Sequence, residues 1–297
     1  MHNPQSSWHE SNGLKLHYVE WCNPGAPHLL LVHGQMDHCR NWDWVAQSLR
    51  HQFHIIAVDL RGHGDSEWAG ANSYSVIEHV YDLRQLINRL GLEALTIIGH
   101  SLGGAISLKY AGIYPEKMKR VVAIEGAGPS PDVLKQQQTI GADQRFRDWA
   151  ETLNRLAEKK ERSYATQEEA VTRMQQANRH LSVERARHLA IHGSRRGEDG
   201  RYRWKFDPKL RAYHPFDMTA QDTRQLWRKI DCPVMLIRGE DSWACNPAAD
   251  GRADYFSKVR VLNVPGAAHW VHHDQFDIFM AAVNDFLGLQ PDPTSNK

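Results

Sequence analysis

The sequence predicts an α/β fold: a mainly parallel sheet with helices on both faces. Three observations lead there. Short, nearly continuous apolar runs at 28–32, 53–60, 94–98, 119–124 and 233–239 have the composition of strands buried on both faces. Between them lie stretches with helical spacing, clearest in 75–90, where Val76, Val80, Leu83, Ile87 and Leu90 share one face. And Gly99-His100-Ser101-Leu102-Gly103 joins a strand-like run directly to a helix-like one. Alternating strands and helices give parallel pairing, and such sheets bind ligands beyond the carboxyl ends of their strands. His33-Gly34-Gln35, Ser101 and Glu125 all fall at such ends.

In order, Ser11-Asn12-Gly13 is a turn and 14–21 alternates as a strand. Asn23-Pro24-Gly25 turns into the run 28–32, and 41–50 suits a short helix. The strand 53–60 ends at Asp59, before Arg61-Gly62-His63-Gly64-Asp65-Ser66, where Asp59 is expected to tie down the loop. Helix 75–90 stops at Gly91, a C-terminal cap residue. After the Ser101 junction, a helix ends at Tyr114-Pro115 and a strand ends at Glu125. From Ala127 to Thr223 no buried strand is visible. Thr166-x-x-Glu169 is a capping box opening a helix through Arg179, and 182–191 is another helix stopped by Gly193. This stretch is expected to be a helical cap over the strand ends, since long insertions in compact domains are usually functional. Then come a strand at 233–239, a helix at 248–256, a strand at 259–264 and a helix at 275–287. The expected division is therefore core 1–126 and 224–289, cap 127–223, and a loose polar tail at 290–297.

Composition sets limits. The 297 residues suffice for one large domain with an insertion. A net charge of +1 gives no basis for a nucleic-acid or anionic-membrane partner. No apolar run approaches the roughly 18 residues that span a bilayer, and the first residues lack a signal peptide's basic start and apolar core. Cys22, Cys39, Cys232 and Cys245 show no C-x-x-C spacing and are expected to be reduced and free of metal, which fits a cytoplasmic location. No cofactor or metal is expected. The expected partner is a small ester, and the chain a monomer or homodimer.

A serine hydroxyl becomes a useful nucleophile when a sharp turn holds it beside a base, with N–H donors aimed at the developing oxyanion. Ser101 in Gly-x-Ser-x-Gly, between strand and helix, is that nucleophile elbow. His269, after the last strand and preceded by Gly266-Ala267-Ala268, is the base. His272 and His273, at the start of a helix-like stretch, are expected at the surface or facing the cap. His100 cannot share the nucleophile's direction at the turn. The N–H groups of Gln35 and Leu102 form the expected oxyanion hole.

These stretches together, His33-Gly34-Gln35, Arg61 to Ser66, Gly99 to Gly104 and Gly266 to His269, resemble the α/β-hydrolase superfamily, from about Leu14 to Leu287 apart from the cap. The resemblance implies an eight-stranded sheet. It points to the branch holding esterases, haloalkane dehalogenases, epoxide hydrolases and C–C hydrolases, which carry a helical cap after the sixth strand. Dehalogenases and epoxide hydrolases have aspartate at the elbow, so Ser101 argues against both. The acid departs from the common pattern. Where an aspartate usually follows the seventh strand's glycine by three residues, Gly239 is followed by Glu240, Asp241 and Ser242. Two carboxylates compete: Glu125, resembling a subset of dehalogenases with glutamate at the sixth strand's end, and Asp241, one residue early. Only one is needed to orient His269.

The function expected is hydrolysis of a carboxylic ester of a small to medium, largely apolar substrate through an acyl-enzyme. Trp149, Tyr164, Trp204, Phe206 and Tyr213 from the cap, with Trp42 and Trp44, are candidate pocket residues. A C–C or lactone hydrolase with the same triad, a cofactor-free perhydrolase, and a non-enzymatic binding protein on the same fold stay open as alternatives.

Overall fold

The computed structural model describes residues 3–70 and 73–289; the tail expected to be loose, 290–297, lies outside the described residues. The chain opens with a hairpin of β1 (Gln5–Ser11) and β2 (Leu14–Trp21). Its two-residue turn, Asn12-Gly13, has positive φ at both positions (49° and 76°), the geometry for which Asn-Gly is the preferred pair. The turn and β2 are expected from the sequence, whereas β1 is an additional strand. Next come β3 (His28–Val32), α1 (Asp43–Leu49), β4 (His54–Val58), α2 (Val76–Arg89), β5 (Leu95–His100), α3 (Leu102–Ile113) and β6 (Met118–Ile124). The excursion that follows holds α4 (Pro131–Gln138), α5 (Ala142–Glu158), α6 (Gln167–Ala177), α7 (Val183–Gly193) and a small ribbon of β7 (Ser194–Arg196) with β8 (Tyr202–Trp204). The chain closes with α8 (Ala220–Arg228), β9 (Val234–Gly239), β10 (Val259–Val264), α9 (Val271–Asp274) and α10 (Phe276–Leu287).

Eight strands form one sheet in the order β1-β2-β4-β3-β5-β6-β9-β10. The pairs β1–β2 and β2–β4 are antiparallel and the rest parallel. The central strands are buried along their length; Leu30, Ile97, Ile98 and Val122 have no exposed surface. Each such side chain contributes roughly 1.5–3 kcal/mol relative to exposure. One face packs against α1, the turn just before it and α10, through Trp42, Val45, Phe279 and Val283. The other packs against α2 and α3 through Leu83, Ile87, Ile106 and Tyr110. Helix α2 begins at the expected place because Ser75 and Glu78 form a capping box.

Two details differ from expectation. Residues 248–256 form turns and a short 3-10 helix, Ala253–Tyr255, instead of a helix. Gly251 has φ of 80° there, and Arg252 pairs with Asp250 while donating to the Cys245 carbonyl, which holds the loop closed on itself. Helix α8 also straddles the expected boundary at 223/224, and its Trp227 packs with Leu108 and Ala111 of α3. Among the described residues no helix is long and apolar enough to cross a membrane.

In the excursion, α6, α7 and the ribbon share a core of their own through Ala170, Val171, Ala186 and Leu189, with Tyr164 and Trp204 beside it. It is tied to the sheet's carboxyl edge. Asp207 accepts from the Tyr74 hydroxyl at 2.7 Å, its N–H donates to the Gly62 carbonyl, and His38 Nε2 donates to the Leu189 carbonyl.

Candidate active site

Strand register lines the site up. His100 pairs with Ile124, Ile124 with Ile237, and Gly239 with Val264. Ser101 and Glu125 therefore follow matched positions on adjacent strands, and the loops after β9 and β10 open at the same edge. The sheet order reverses direction between β3 and β5, so Gln35 and Ser101 flank the switch point.

Ser101 has φ 50° and ψ −115°, a strained geometry for a residue with a Cβ. Its N–H donates to the Ile124 carbonyl at 2.7 Å, and its carbonyl accepts from Ala105 N–H, which starts α3. The turn tolerates no side chain at its glycines: a Cβ on Gly99 would lie 2.6 Å from Ser107 Oγ, and one on Gly103 would meet the carbonyls of Val32 and His33. Among the described residues, five non-glycines have positive φ, and three of them, Met36, Ser101 and Glu125, stand in or beside this edge. Strain of this kind clusters at functional sites.

Glu125 is the carboxylate within reach of His269, with Oε2 3.5 Å from His269 Nδ1. Its side chain has no exposed surface. A buried carboxylate is tolerable only with donors, and it has two: Gly239 N–H to Oε1 at 2.7 Å and the Ser242 hydroxyl to Oε2 at 2.9 Å. Asp241 is exposed, and its N–H donates to the Ala267 carbonyl. Thus Ser242, at the usual place of the acid, supports the glutamate. His269 is partly exposed, with the Trp243 ring stacked on it at 5.0 Å. Neither Ser242 nor Trp243 was singled out in the sequence, where Ser242 registered only as a missing aspartate.

The other histidines lie behind this row. His100 Nε2 donates to the His269 carbonyl at 2.9 Å, so it braces the loop. His272 and His273 are buried and turned to Asn41, where a position at the surface or facing the cap is expected from the sequence. Both donate from Nε2 to the Asn41 amide oxygen, and Trp42 stacks on His272 at 4.7 Å. The short helix α9 turns them inward to the β3–α1 loop, a long-range contact with no local signal. Burial holds the pKa values of His100, His272 and His273 well below the ordinary histidine value, with the Arg185 guanidinium adding to it for His272 and His273. Asp59 ties down its loop as expected, accepting from His17, Cys39 N–H and Asp65 N–H. Burial alone would raise its pKa, but the hydrogen bond and charge of His17 hold it below the ordinary carboxylate value.

A cavity of about 900 Å³ lies between this edge and the excursion. Gln35, Leu102 and Gly126 belong to its wall; Ser101 and His269 do not, and adjoin it through those neighbours. The Gln35 side chain is pinned, donating to the Leu210 carbonyl at 2.6 Å and accepting from the Tyr213 hydroxyl at 2.8 Å. Of the aromatic candidates, Tyr213 lines this cavity. Tyr164 and Trp204 pack in the excursion's own core, where Trp204 stacks with Phe206; Trp149 contacts Phe146 and His214; Trp42 is core; and Trp44 contacts His188.

Three groups among the described residues have ligand atoms close enough to share a metal: His17–Cys39–Asp59, Glu20–Cys22–His54 and Asp43–His188–His192. None includes a residue of the Ser101 row, and Arg40 already occupies both Asp43 oxygens.

Residues 27–276 match the family model for the alpha/beta hydrolase fold. This chain belongs to that family. A 3-hydroxybutyrate-oligomer hydrolase of Cupriavidus necator is 30% identical over 77% of this chain and 77% of its own length. An esterase of Mycobacterium tuberculosis is 26% identical over 84% of this chain and 79% of its own. Uncharacterised mycobacterial proteins, 37% identical over 107 residues, are matched over 31% of their length, so the shared stretch spans about a third of them. Among solved structures, the thioesterase domain from the curacin biosynthetic pathway superposes with a TM-score of 0.81 at 21% identity, covering 96% of this α/β hydrolase and all of that chain.

Proposed function

We propose that this α/β hydrolase is a serine esterase that cleaves small to medium carboxylic esters through an acyl-enzyme. The observation that carries the reading is the row on one sheet edge: strained Ser101, then buried Glu125 3.5 Å from His269 Nδ1. His269 Nε2 takes the Ser101 proton as Oγ attacks the ester carbonyl. The N–H groups of Leu102 and Gln35 stabilise the oxyanion. The tetrahedral intermediate collapses as His269 protonates the leaving alkoxide. Water, deprotonated by His269, then attacks the acyl-enzyme, and Ser101 leaves with that proton. Glu125 keeps the His269 Nδ1 proton in place and balances the imidazolium. The name of the Cupriavidus relative brings esters of short hydroxy acids within the substrate range, and the 900 Å³ cavity has room for them. The same proposal takes the protein as cytoplasmic and as a monomer or homodimer.

The test is hydrolysis of p-nitrophenyl acetate and butyrate by the parent and Ser101→Ala, with mass spectrometry of the intact protein early in turnover. Turnover by the parent, its loss in Ser101→Ala and an acyl adduct on Ser101 are expected. A folded parent that cleaves neither ester and forms no adduct would overturn the reading.

A further inference from the structure

The cavity wall carries an amine that this chemistry does not use. Lys109 follows Leu102 by seven residues and Ala105 by four on α3, so the three share one helix face, and all three line the cavity. Along the axis Lys109 stands about 12 Å past Ser101, eight residues on. Helical side chains lean back toward the N-terminus, so the amine approaches the elbow from the far part of the chamber. Among the described residues, the acid acting on Lys109 is Asp217, as a charge with no ion pair formed. Both Asp217 oxygens are already engaged, Oδ2 by Val76 N–H at 2.8 Å and Oδ1 by Met218 N–H at 2.7 Å.

The other cations of the wall divide in two. Arg252 is satisfied by Asp250 and by the carbonyls of Gly128 and Cys245. Arg224 and Arg228 rest on the ring of Tyr255, at 5.6 and 5.0 Å. Lys109 is partly buried in this wall, and a cation withdrawn from water is costly unless paired. Burial lowers the Lys109 pKa, and Asp217 partly offsets this. An anion on a bound ligand would complete the set.

We propose that Lys109, with Arg224 on the same cavity wall, is a specificity site for a substrate carboxylate, so that the preferred esters carry a free carboxylate several bonds from the scissile carbonyl. Monoesters of short dicarboxylic acids have this form. The inference rests on the serine-esterase reading.

The test compares the p-nitrophenyl monoester of glutaric acid with p-nitrophenyl pentanoate, in the parent, Lys109→Met and Lys109→Arg. The ratio of kcat/KM, glutarate over pentanoate, is expected to fall at least tenfold in Lys109→Met, chiefly through KM, and to recover substantially in Lys109→Arg. An unchanged ratio in a folded Lys109→Met would overturn the proposal. Calorimetry of monomethyl glutarate with Ser101→Ala, with and without Lys109→Met, separates the two readings. If the parent cleaves neither ester but binding weakens tenfold or more on losing Lys109, the esterase reading fails and the carboxylate site stands. Equal binding, or none with Lys109 present, removes the site.

Discussion

The Ser242 hydroxyl donates to Glu125 Oε2 across 2.9 Å, joining the loop after β9 to the end of β6. With the Gly239 N–H on the other oxygen, it leaves the carboxylate few ways to turn away from His269. Hydrogen bonds to charged groups are worth about 1.5–3 kcal/mol. Ser242→Ala should therefore lower kcat/KM on p-nitrophenyl butyrate about tenfold, corresponding to about 1.4 kcal/mol. Activity within twofold of the parent would mean that the Gly239 N–H alone suffices to orient Glu125 or that Glu125 is not the acid.

Glu125→Gln removes the charge but keeps the shape. In the proposed mechanism His269 then loses both its tautomer control and the balance for its imidazolium, and kcat should fall by about 10²–10⁴. Exposed Asp241, changed to Asn, should leave kcat within about threefold, as surface substitutions usually do. The reverse pattern, measured on one ester at one pH, would make Asp241 the acid.

Much of this site can be read from the sequence, because its parts sit at strand ends whose apolar runs are unmistakable. Ser101 and Glu125 each follow a buried strand directly and Gln35 comes three residues after one, and the parallel sheet brings those ends together whatever the intervening helices do. What escapes is non-local. The inward turn of His272 and His273 depends on Asn41, more than two hundred residues away. The support of Glu125 by Ser242 depends on a β6–β9 neighbour relation that the sequence order conceals. Strand β1 was locally readable, since Asn12-Gly13 is a hairpin signal, but its exposed alternation lacks the apolar run that marked the others. The residues 248–256 mislead in the opposite way: a helix-compatible composition is overridden by Gly251 and the Arg252 contacts.

Burial holds several histidines neutral in the fold: His33 at about 3, His38 and His63 at about 4, and His79, His100, His272 and His273 well below the ordinary value. Unfolding releases them to titrate near 6.5, so below that pH the unfolded chain binds more protons. Their stabilising effect is complete above pH 6.5 and is lost as pH falls toward the folded values. Each adds to the steepness with which stability falls in that window, and the net stability of a domain is small enough for several such groups to matter. Asp37, raised by burial to about 7, acts with the opposite sign, its contribution fading as pH rises through that value. Urea midpoints should therefore peak near neutrality and drop steeply between pH 6.5 and 5. A flat profile across that range would show that the histidines are hydrated or charged in the fold.

Gly126 and Gly104 touch backbone to backbone. A Cβ on Gly126 would lie 2.6 Å from Gly104 Cα and 2.8 Å from its carbonyl carbon, atoms that cannot swing aside as a side chain does. Gly126→Ala should destabilise by about 1–3 kcal/mol and, by displacing Glu125 next to it, cost activity as well. Thermal unfolding with parallel assays checks both. Loss of neither would require the start of α3 to shift without disturbing Ser101.

The two halves of the excursion differ in how they are held. Helices α6 and α7 bury Ala170, Val171, Ala186, Leu189 and Ala190, whereas α4 and α5 bury no residue at all. Phe146 of α5 is half exposed, and Arg145 rests over Phe216 at 5.6 Å in place of apolar packing. Helices with so little tertiary burial are marginal on their own, and regions with few buried contacts open at lower free energy than the core. Yet Leu134 and Gln137 of α4 form part of the cavity wall. Hydrogen exchange should show amides of 131–158 exchanging at least a hundredfold faster than those of 167–193, an opening about 2.7 kcal/mol or more cheaper by the usual 1.4 kcal/mol per tenfold. A ligand filling the chamber should slow exchange in 131–138 first, because α4 then gains the apolar contacts it lacks. Uniform protection across 131–193 would mean that the excursion moves as one body and that ligands enter elsewhere.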